Sequence, residues 1–155
     1  MEIKKQLRIV KVNDNKKKFL PILLIGDESE SMIDKYIDRG TLYVGFINNE
    51  PMAVCVTLRI DPDTIEMKNL AVITKFRYQG YGSRMLQYIE CQYPDSLIIL
   101  GTGETPSTIR FYEKCGYSYS HRILDFFTDN YPVPIIEEGV TLRDMIYLKK
   151  SNRKQ

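Results

Sequence analysis

The sequence predicts one α+β domain, in which a largely antiparallel sheet of roughly six to seven strands is flanked by about four helices. The 155 residues are 43% hydrophobic and 27% charged, which is the usual composition of a single globular domain. No internal repeat, low-complexity tract or Gly/Ser-rich linker divides the chain. The hydrophobic period changes between about two and about 3.6 along the chain, which predicts both strands and helices. We therefore expect residues 1–155 to form a single domain.

The first half of the chain predicts one strand, a helical region and then three strands. Apolar residues alternate over 7–12, which is typical of a strand, and an Asn-Asp-Asn turn follows. Residues 17–39 have helical character that is interrupted at Pro21. The β-branched and aromatic runs that come next are separated by turn signals at 48–51 and 61–64. The three strands expected here cover 41–47, 52–60 and 65–73.

The second half predicts two helices and three more strands. After the strand 65–73 the hydrophobic period becomes about 3.6, and this helical pattern stops near Pro94. Residues 97–100 form a short apolar strand, and because a helix joins it to the preceding strand, the two are expected to be parallel neighbours. A second helix begins at Thr105-Pro106, with threonine at the N-cap, and ends at Gly116. Two final strands are expected at 117–127 and 140–149, separated by an irregular stretch.

Composition excludes several classes of protein. No stretch approaches the ~18 consecutive apolar residues of a membrane span, and the N-terminal residues lack a signal-peptide pattern. We therefore expect a cytoplasmic protein without a membrane partner. The cysteines Cys55, Cys91 and Cys115 are widely spaced, and His121 is the one histidine in the sequence. This spacing indicates neither a disulfide framework nor a metal site, so no bound metal is expected.

The charges are distributed unevenly along the chain. Both ends are rich in Lys and Arg, whereas residues 19–148 contain 11 basic and 18 acidic residues. A nucleic-acid-binding domain normally presents a basic surface, so no nucleic-acid partner is expected. The acidic body slightly favours a cationic small ligand instead.

A strand, a loop that contains glycines and an amphipathic helix follow one another directly in the middle of the chain. Gly80 and Gly82 lack a Cβ, so a phosphate could approach the free backbone amides at the helix start, where the helix dipole also favours an anion. Arg77 and Arg84 could add positive charge. The spacing fits neither GxGxxG, which would need glycine at Met85, nor GxxxxGK[ST]. This segment therefore predicts an anion site that differs from those two nucleotide loops.

Two motifs resemble those of the GCN5-related N-acetyltransferase (GNAT) superfamily. The pattern Arg77-x-x-Gly80-x-Gly82 is similar to the acetyl-CoA pyrophosphate loop of that family. About 25 residues later, the helix end Phe111-Tyr112-Glu-Lys-Cys-Gly-Tyr117 is similar to the family's second signature. The order of predicted elements also matches over roughly residues 1–120. The resemblance implies a GNAT-like mixed sheet in which strands 4 and 5 are parallel and splayed apart.

The resemblance also implies which residues bind acetyl-CoA as a cosubstrate. In the family, backbone amides of the loop hold the pyrophosphate, which corresponds here to residues 79–83. The preceding strand bulges, and its backbone bonds the acetyl carbonyl and the pantetheine arm. The cofactor-binding residues implied in this way are Leu70, Ala71, Val72, Arg77, Gln79, Gly80, Tyr81, Gly82 and Ser83.

Two residues are expected to take part in catalysis. Tyr112 matches the family tyrosine that protonates the departing thiolate, and a phenol with a pKa of about 10 carries its proton at neutral pH. The alternative is that Tyr112 only packs in the core. Glu66 lies sixteen residues before Gly82, which is the spacing of the catalytic glutamate in the histone-acetyltransferase branch, so it is the leading general base. The alternatives are an exposed Glu66–Lys68 pair and a water relay without any single base.

The expected function is direct transfer of acetyl from acetyl-CoA to a primary amine of a small molecule or peptide. The alternative is a non-catalytic module that binds and senses acyl-CoA. Residues 121–139 exceed the family minimum and could serve as a pocket lid or as the interface of a homodimer. They contain acidic and aromatic residues, which suit a cationic amine but are also common in solvated loops. The residues concerned are Asp125, Asp129, Glu137 and Glu138, with Phe126, Phe127 and Tyr131.

Overall fold

The computed structural model describes residues 6–152, which contain a mixed sheet and helices on both of its faces. The strands are β1 (Arg8–Val12), β2 (Thr41–Ile47), β3 (Glu50–Asp61), β4 (Thr64–Val72), β5 (Leu97–Gly103), β6 (Ser118–Ile123), β7 (Ile136–Glu137), β8 (Val140–Thr141) and β9 (Met145–Ser151). The helices are α1 (Leu20–Gly26), α2 (Glu30–Asp34), α3 (Tyr81–Gln92), α4 (Pro106–Lys114) and α5 (Phe126–Asn130). Short 3₁₀ turns cover Lys16–Phe19 and Thr74–Phe76.

Seven strands form one sheet in the order β1-β2-β3-β4-β5-β9-β6. Neighbouring strands are antiparallel except for β4 and β5, which are parallel and joined by α3. The predicted α+β class and the parallel central pair are therefore confirmed. Within the described residues there are five α-helices, because the chain adds the short α5 that the sequence pattern did not predict.

The two parallel strands separate after a short paired region. Pairing joins Thr64–Met67 of β4 to Leu97–Leu100 of β5, whereas both strands continue for several residues beyond it. On the other side of β4, Asn69 pairs with Val56 and Met67 pairs with Thr57, so Lys68 forms a bulge. A bulge bends the strand that carries it, and it lies where β4 leaves β5. The splay implied by the resemblance is confirmed.

Hydrophobic side chains pack on both faces of the sheet. On one face, α3 and α4 cover a cluster that includes Met85 and Ile89, and α3 keeps its polar side chains outside. On the other face, α1 and α2 cover a second cluster around Leu23 and Ile33. No helix among residues 6–152 is long and apolar enough to cross a membrane.

The region after α4 differs from the strands expected at 117–127 and 140–149. β6 ends at Ile123, because Asp125 adopts a left-handed backbone (φ 56°) and its amide donates to Asp144 Oδ1 at 2.8 Å. Phe126 and Phe127 therefore lie in α5 rather than in a strand. Val140–Thr141 pairs with β7 in a separate two-stranded hairpin, and the last strand of the sheet begins only at Met145.

The segment between β6 and β9 has a small hydrophobic cluster of its own. Phe127, Ile135 and Leu142 are buried together, and Phe126, Tyr131, Val140 and Met145 pack against them. The irregular stretch expected from the prolines is therefore an ordered cap with its own core, which lies over the open side of the β4–β5 cleft. Throughout, we call residues 124–144 the cap segment.

Candidate active site

The start of α3 presents backbone amides that have no acceptor within the helix. Gly80 is the N-cap residue and adopts a left-handed backbone (φ 85°), which glycine reaches without strain. The first helical bond runs from the Arg84 amide to the Gly80 carbonyl at 3.1 Å. The amides of Tyr81, Gly82 and Ser83 therefore belong to the free first turn, where the helix dipole adds a partial positive charge. Free amides in this position can bind an anion.

A groove of about 430 Å³ runs from this helix start along β4. We call it the helix groove, and its lining includes eight of the nine residues implied to bind acetyl-CoA: Leu70, Ala71, Val72, Arg77, Gly80, Tyr81, Gly82 and Ser83. The ninth, Gln79, does not line it, because its side-chain amide donates to the Lys75 carbonyl at 3.2 Å. A Cβ on Gly82 would lie 3.2 Å from Phe111 Cζ, so glycine lets α3 approach α4 closely.

The backbone of β4 is available on the side of the groove. Leu70, Ala71 and Val72 pair with β3 on one side only, since the pairing with β5 ends at Met67. Peptide groups that point toward the missing neighbour have no strand to bond to. They can bond an elongated ligand that lies in the cleft as a strand would.

Tyr112 lies at the inner end of the helix groove. Its side chain packs edge-on against Phe111 and Tyr117, with ring centroids 5.0 and 5.9 Å away. Its hydroxyl makes no hydrogen bond to any side chain or backbone group of residues 6–152. Burial raises the pKa of Tyr112 above the usual 10 of a phenol. The group therefore keeps its proton at neutral pH and has a free hydroxyl to donate it.

A second cavity of about 470 Å³ opens from the helix groove. We call it the central cavity; Leu70, Arg77 and Tyr112 line both spaces, so the two are continuous. Four acidic residues line the central cavity, against two basic ones, Lys68 and Arg77. The acidic residues are Asp27, Glu28, Glu137 and Glu138.

Glu66 lies in a third space, the distal cavity of about 320 Å³. Its carboxylate is buried, forms an ion pair with Lys68 at 3.1 Å and accepts a hydrogen bond from the Tyr147 hydroxyl at 3.0 Å. Lys68 lines both the central and the distal cavity, whereas Glu66 lines only the distal one. The structure therefore does not bring Glu66 and Tyr112 into one cavity. The Glu66–Lys68 pair is present, but Glu66 is buried and Lys68 half-buried rather than exposed.

Only some of the acidic and aromatic residues that the sequence analysis noted in the cap segment line the central cavity. Glu137, Glu138, Phe127 and Tyr131 line the central cavity. Asp125 and Asp129 do not, and Asp125 instead pairs with Arg143 at 3.1 Å.

A hydrogen-bonded group that the sequence pattern did not indicate lies between α1, β4 and the cap segment. The Asn69 amide nitrogen donates to the Tyr36 hydroxyl at 3.1 Å, and Tyr36 donates to Asp27 Oδ2 at 3.3 Å. Tyr131 of the cap segment donates to the other oxygen of Asp27 at 2.8 Å. No sequence signal finds this group, because its members are up to 104 positions apart.

Comparison with known proteins gives a consistent result. Residues 38–119 match the family model described as the acetyltransferase (GNAT) domain. The chain is 31% identical over 147 residues to the uncharacterized N-acetyltransferase YvbK of Bacillus subtilis, covering 92% of this chain and 95% of that protein.

Solved structures agree with this match over almost the whole chain. A GNAT family acetyltransferase from Elizabethkingia anophelis with acetyl-CoA bound has a TM-score of 0.87 and 32% identity, covering 94% of this chain and 97% of that one. A Bacillus subtilis acetyltransferase in complex with CoA has a TM-score of 0.83 and 29% identity, covering 94% and 99%.

The close approach of Gly82 to Phe111 allows a test of whether acetyl-CoA binds in the helix groove. In a Gly82→Val variant the new side chain must displace Phe111 or fill the groove beside the free amides. We expect the dissociation constant for acetyl-CoA to rise at least about tenfold, measured by titration calorimetry. Gln87→Val places the same side chain on the exposed face of α3, away from Phe111, and controls for the effect of a β-branched residue in this helix. Equal affinity of both variants would contradict the assignment of the groove.

Proposed function

Because this chain belongs to the GNAT family of acetyltransferases, we propose that it transfers the acetyl group of acetyl-CoA directly to a primary amine. Membership makes it an N-acetyltransferase that uses acetyl-CoA, so the proposal concerns the acceptor and the residues that act on it. The observation that supports it most is the position of Tyr112. Its free hydroxyl lies where the helix groove meets an acidic cavity.

The transfer needs two proton movements. Acetyl-CoA supplies an acetyl group that is activated as a thioester. The amine nitrogen bonds to the acetyl carbon, the carbon–sulfur bond breaks, and its electron pair leaves with the sulfur. The sulfur must then gain one proton, and the amine must lose one, so that an amide and a thiol result. The chain has to supply a proton at one end of the reaction and accept one at the other.

We assign the proton donor to Tyr112. Its hydroxyl is protonated at neutral pH, because burial raises the pKa above 10. No protein group of the described residues competes for it. The free amides at the start of α3 and the unpaired side of β4 are proposed to hold the diphosphate and the pantetheine arm, respectively. This places the sulfur end of the ligand toward Tyr112 at the inner end of the groove.

We assign removal of the amine proton to Glu66 acting through water. An alkyl amine with a pKa of about 10.4 is neutral in only about one part in 2,500 at pH 7, so an acceptor for its proton helps the reaction. Glu66 lines only the distal cavity and not the two spaces that Tyr112 lines, so direct contact with an amine at Tyr112 is not supported. Water between the central and distal cavities would carry the proton to its carboxylate. Glu66 is thus proposed as a general base that receives the proton through water and does not contact the amine directly.

The role of Tyr112 is tested by Tyr112→Phe. Phenylalanine keeps the ring contacts with Phe111 and Tyr117 but has no proton to donate. We expect kcat to fall at least about tenfold while the dissociation constant for acetyl-CoA changes little. The measurement combines steady-state thiol release with titration calorimetry.

The matched control for this substitution is Tyr119→Phe. Tyr119 lies on β6, is 56% exposed and lines none of the three cavities, so loss of its hydroxyl should leave kcat unchanged. A Tyr112→Phe enzyme that retains full kcat, with the chemical step shown to be rate-limiting, contradicts the assignment.

The role of Glu66 is tested by Glu66→Gln and the pH dependence of kcat/KM. If Glu66 accepts the proton, the variant loses at least about tenfold in kcat/KM, and the rise of activity with pH changes shape. Glu90→Gln is the control, because Glu90 also binds one lysine (Lys150, 3.0 Å) and one tyrosine (Tyr117, 3.1 Å) but lines none of the three cavities. If both variants keep the parent pH profile, water alone removes the proton and the role of Glu66 is rejected.

A further inference from the structure

The central cavity contains acids that lack basic partners. Every ion pair between residues 6 and 152 involves other carboxylates, such as Glu66, Glu90 and Asp144. The acids of the central cavity fall into two pairs, Asp27-Glu28 at the end of α1 and Glu137-Glu138 at the turn of the β7–β8 hairpin. Two distant parts of the chain therefore bring four carboxyl groups to one place, where Lys68 and Arg77 supply only two positive charges.

Glu137 lies close enough to Glu28 of the other pair, and to its neighbour Glu138, to be repelled by their charges. The pKa of the Glu137 carboxyl is raised, first by burial and then by the negative charges of Glu28 and Glu138, while Arg77 opposes the rise. Glu28, Glu137 and Glu138 are exposed, so a ligand from solvent can reach them. A cation between these carboxylates reduces their repulsion, and the arrangement therefore favours a cationic ligand over an anionic one.

A buried oxygen in the same wall also lacks a partner. Asn69 is buried, and its Oδ1 makes no hydrogen bond within the described residues. Its amide orientation is fixed, because the nitrogen donates to the Leu23 carbonyl at 3.0 Å and to the Tyr36 hydroxyl. An amide oxygen only accepts hydrogen bonds, so it calls for an N–H or O–H donor. Asn69 and Gly26 both line the central cavity. The Asn69 oxygen lies beside Gly26, where a Cβ on that residue would collide with it.

Aromatic side chains form another part of the wall. Phe127 and Tyr131 of the cap segment line the cavity, and the bond from Tyr131 to Asp27 fixes the cap segment to the end of α1. Rings beside carboxylates suit an alkyl chain that carries an ammonium group, since methylene groups pack on the rings and the charge meets the acids.

We propose that the acceptor is an aliphatic diamine or longer polyamine, whose reacting nitrogen lies at Tyr112 and whose distal ammonium lies between the Asp27-Glu28 and Glu137-Glu138 pairs. This rests on the proposed N-acetyltransferase function and names the substrate class. One nitrogen loses its proton and becomes the amide, while the other keeps its proton and its charge. An acceptor with a single amine leaves the acids of the central cavity without a cation, and an acidic acceptor is repelled by them.

The test compares acceptors that differ at the distal end alone. Thiol release from acetyl-CoA by the full chain is measured with 1,4-diaminobutane, with 4-aminobutan-1-ol and with butylamine. We expect kcat/KM for the diamine to exceed both others by at least about tenfold, and this ratio to fall as salt is added because the attraction is electrostatic.

Substitutions then locate the distal ammonium. Glu28→Gln and Glu137→Gln should each reduce the ratio of diamine to butylamine kcat/KM at least about threefold. Asp129→Asn is the matched control, because Asp129 lies in the same cap segment and does not line the cavity, so it should keep the ratio of the parent.

The outcomes separate this inference from the proposed function. A ratio near one with active enzyme, or a ratio that Asp129→Asn lowers as much as Glu137→Gln does, overturns the diamine assignment and leaves amine acetylation intact. If calorimetry shows acetyl-CoA binding but no amine releases thiol, both proposals fail. A high ratio that falls with salt and with the two glutamate variants supports the inference.

Discussion

The separation of β4 from β5 after Met67 and Leu100 is the constraint on which the rest of the site depends. Backbone groups in a protein interior need hydrogen-bond partners. Where a strand loses its neighbour inside a sheet, its N–H and C=O groups on that side are free to bond a ligand. The Lys68 bulge bends β4 where the two strands part, and the cleft between them becomes continuous from the helix groove to the central cavity. Without the splay the two spaces would be closed by strand pairing.

Three parts of the chain give this cleft its polarity. The free amides at the start of α3 provide a positive end, and the acids of α1 and of the cap segment provide a negative end. Tyr112 lies between them on α4, whose close approach to α3 depends on the missing side chain of Gly82. In the function that we propose, this polarity draws an anionic donor and a cationic acceptor to opposite ends of one cleft, with the Tyr112 phenol between them.

The sequence placed most of the implied cofactor-binding residues in one groove, because they are close together in the chain. A strand, a glycine loop and a helix that follow one another form one wall of the groove, α4 adds Phe111 and Tyr112, and all the implied residues except Gln79 line it. The acceptor side depends on contacts between distant segments. Asp125 ends β6 through a bond to Asp144, and Tyr131 reaches Asp27 across the cleft. Alternation of hydrophobic residues does not encode such contacts, so α5 and the true ends of β6 and β9 were not predicted.

A crystal structure of the protein with CoA bound tests the central claim most directly, because it shows both ends of the cleft at once. We predict that the diphosphate lies on the amides of Tyr81, Gly82 and Ser83, and that the sulfur lies within about 3.5 Å of the Tyr112 hydroxyl. CoA that is bound outside the helix groove, or a sulfur that points away from Tyr112 and the central cavity, would contradict the account.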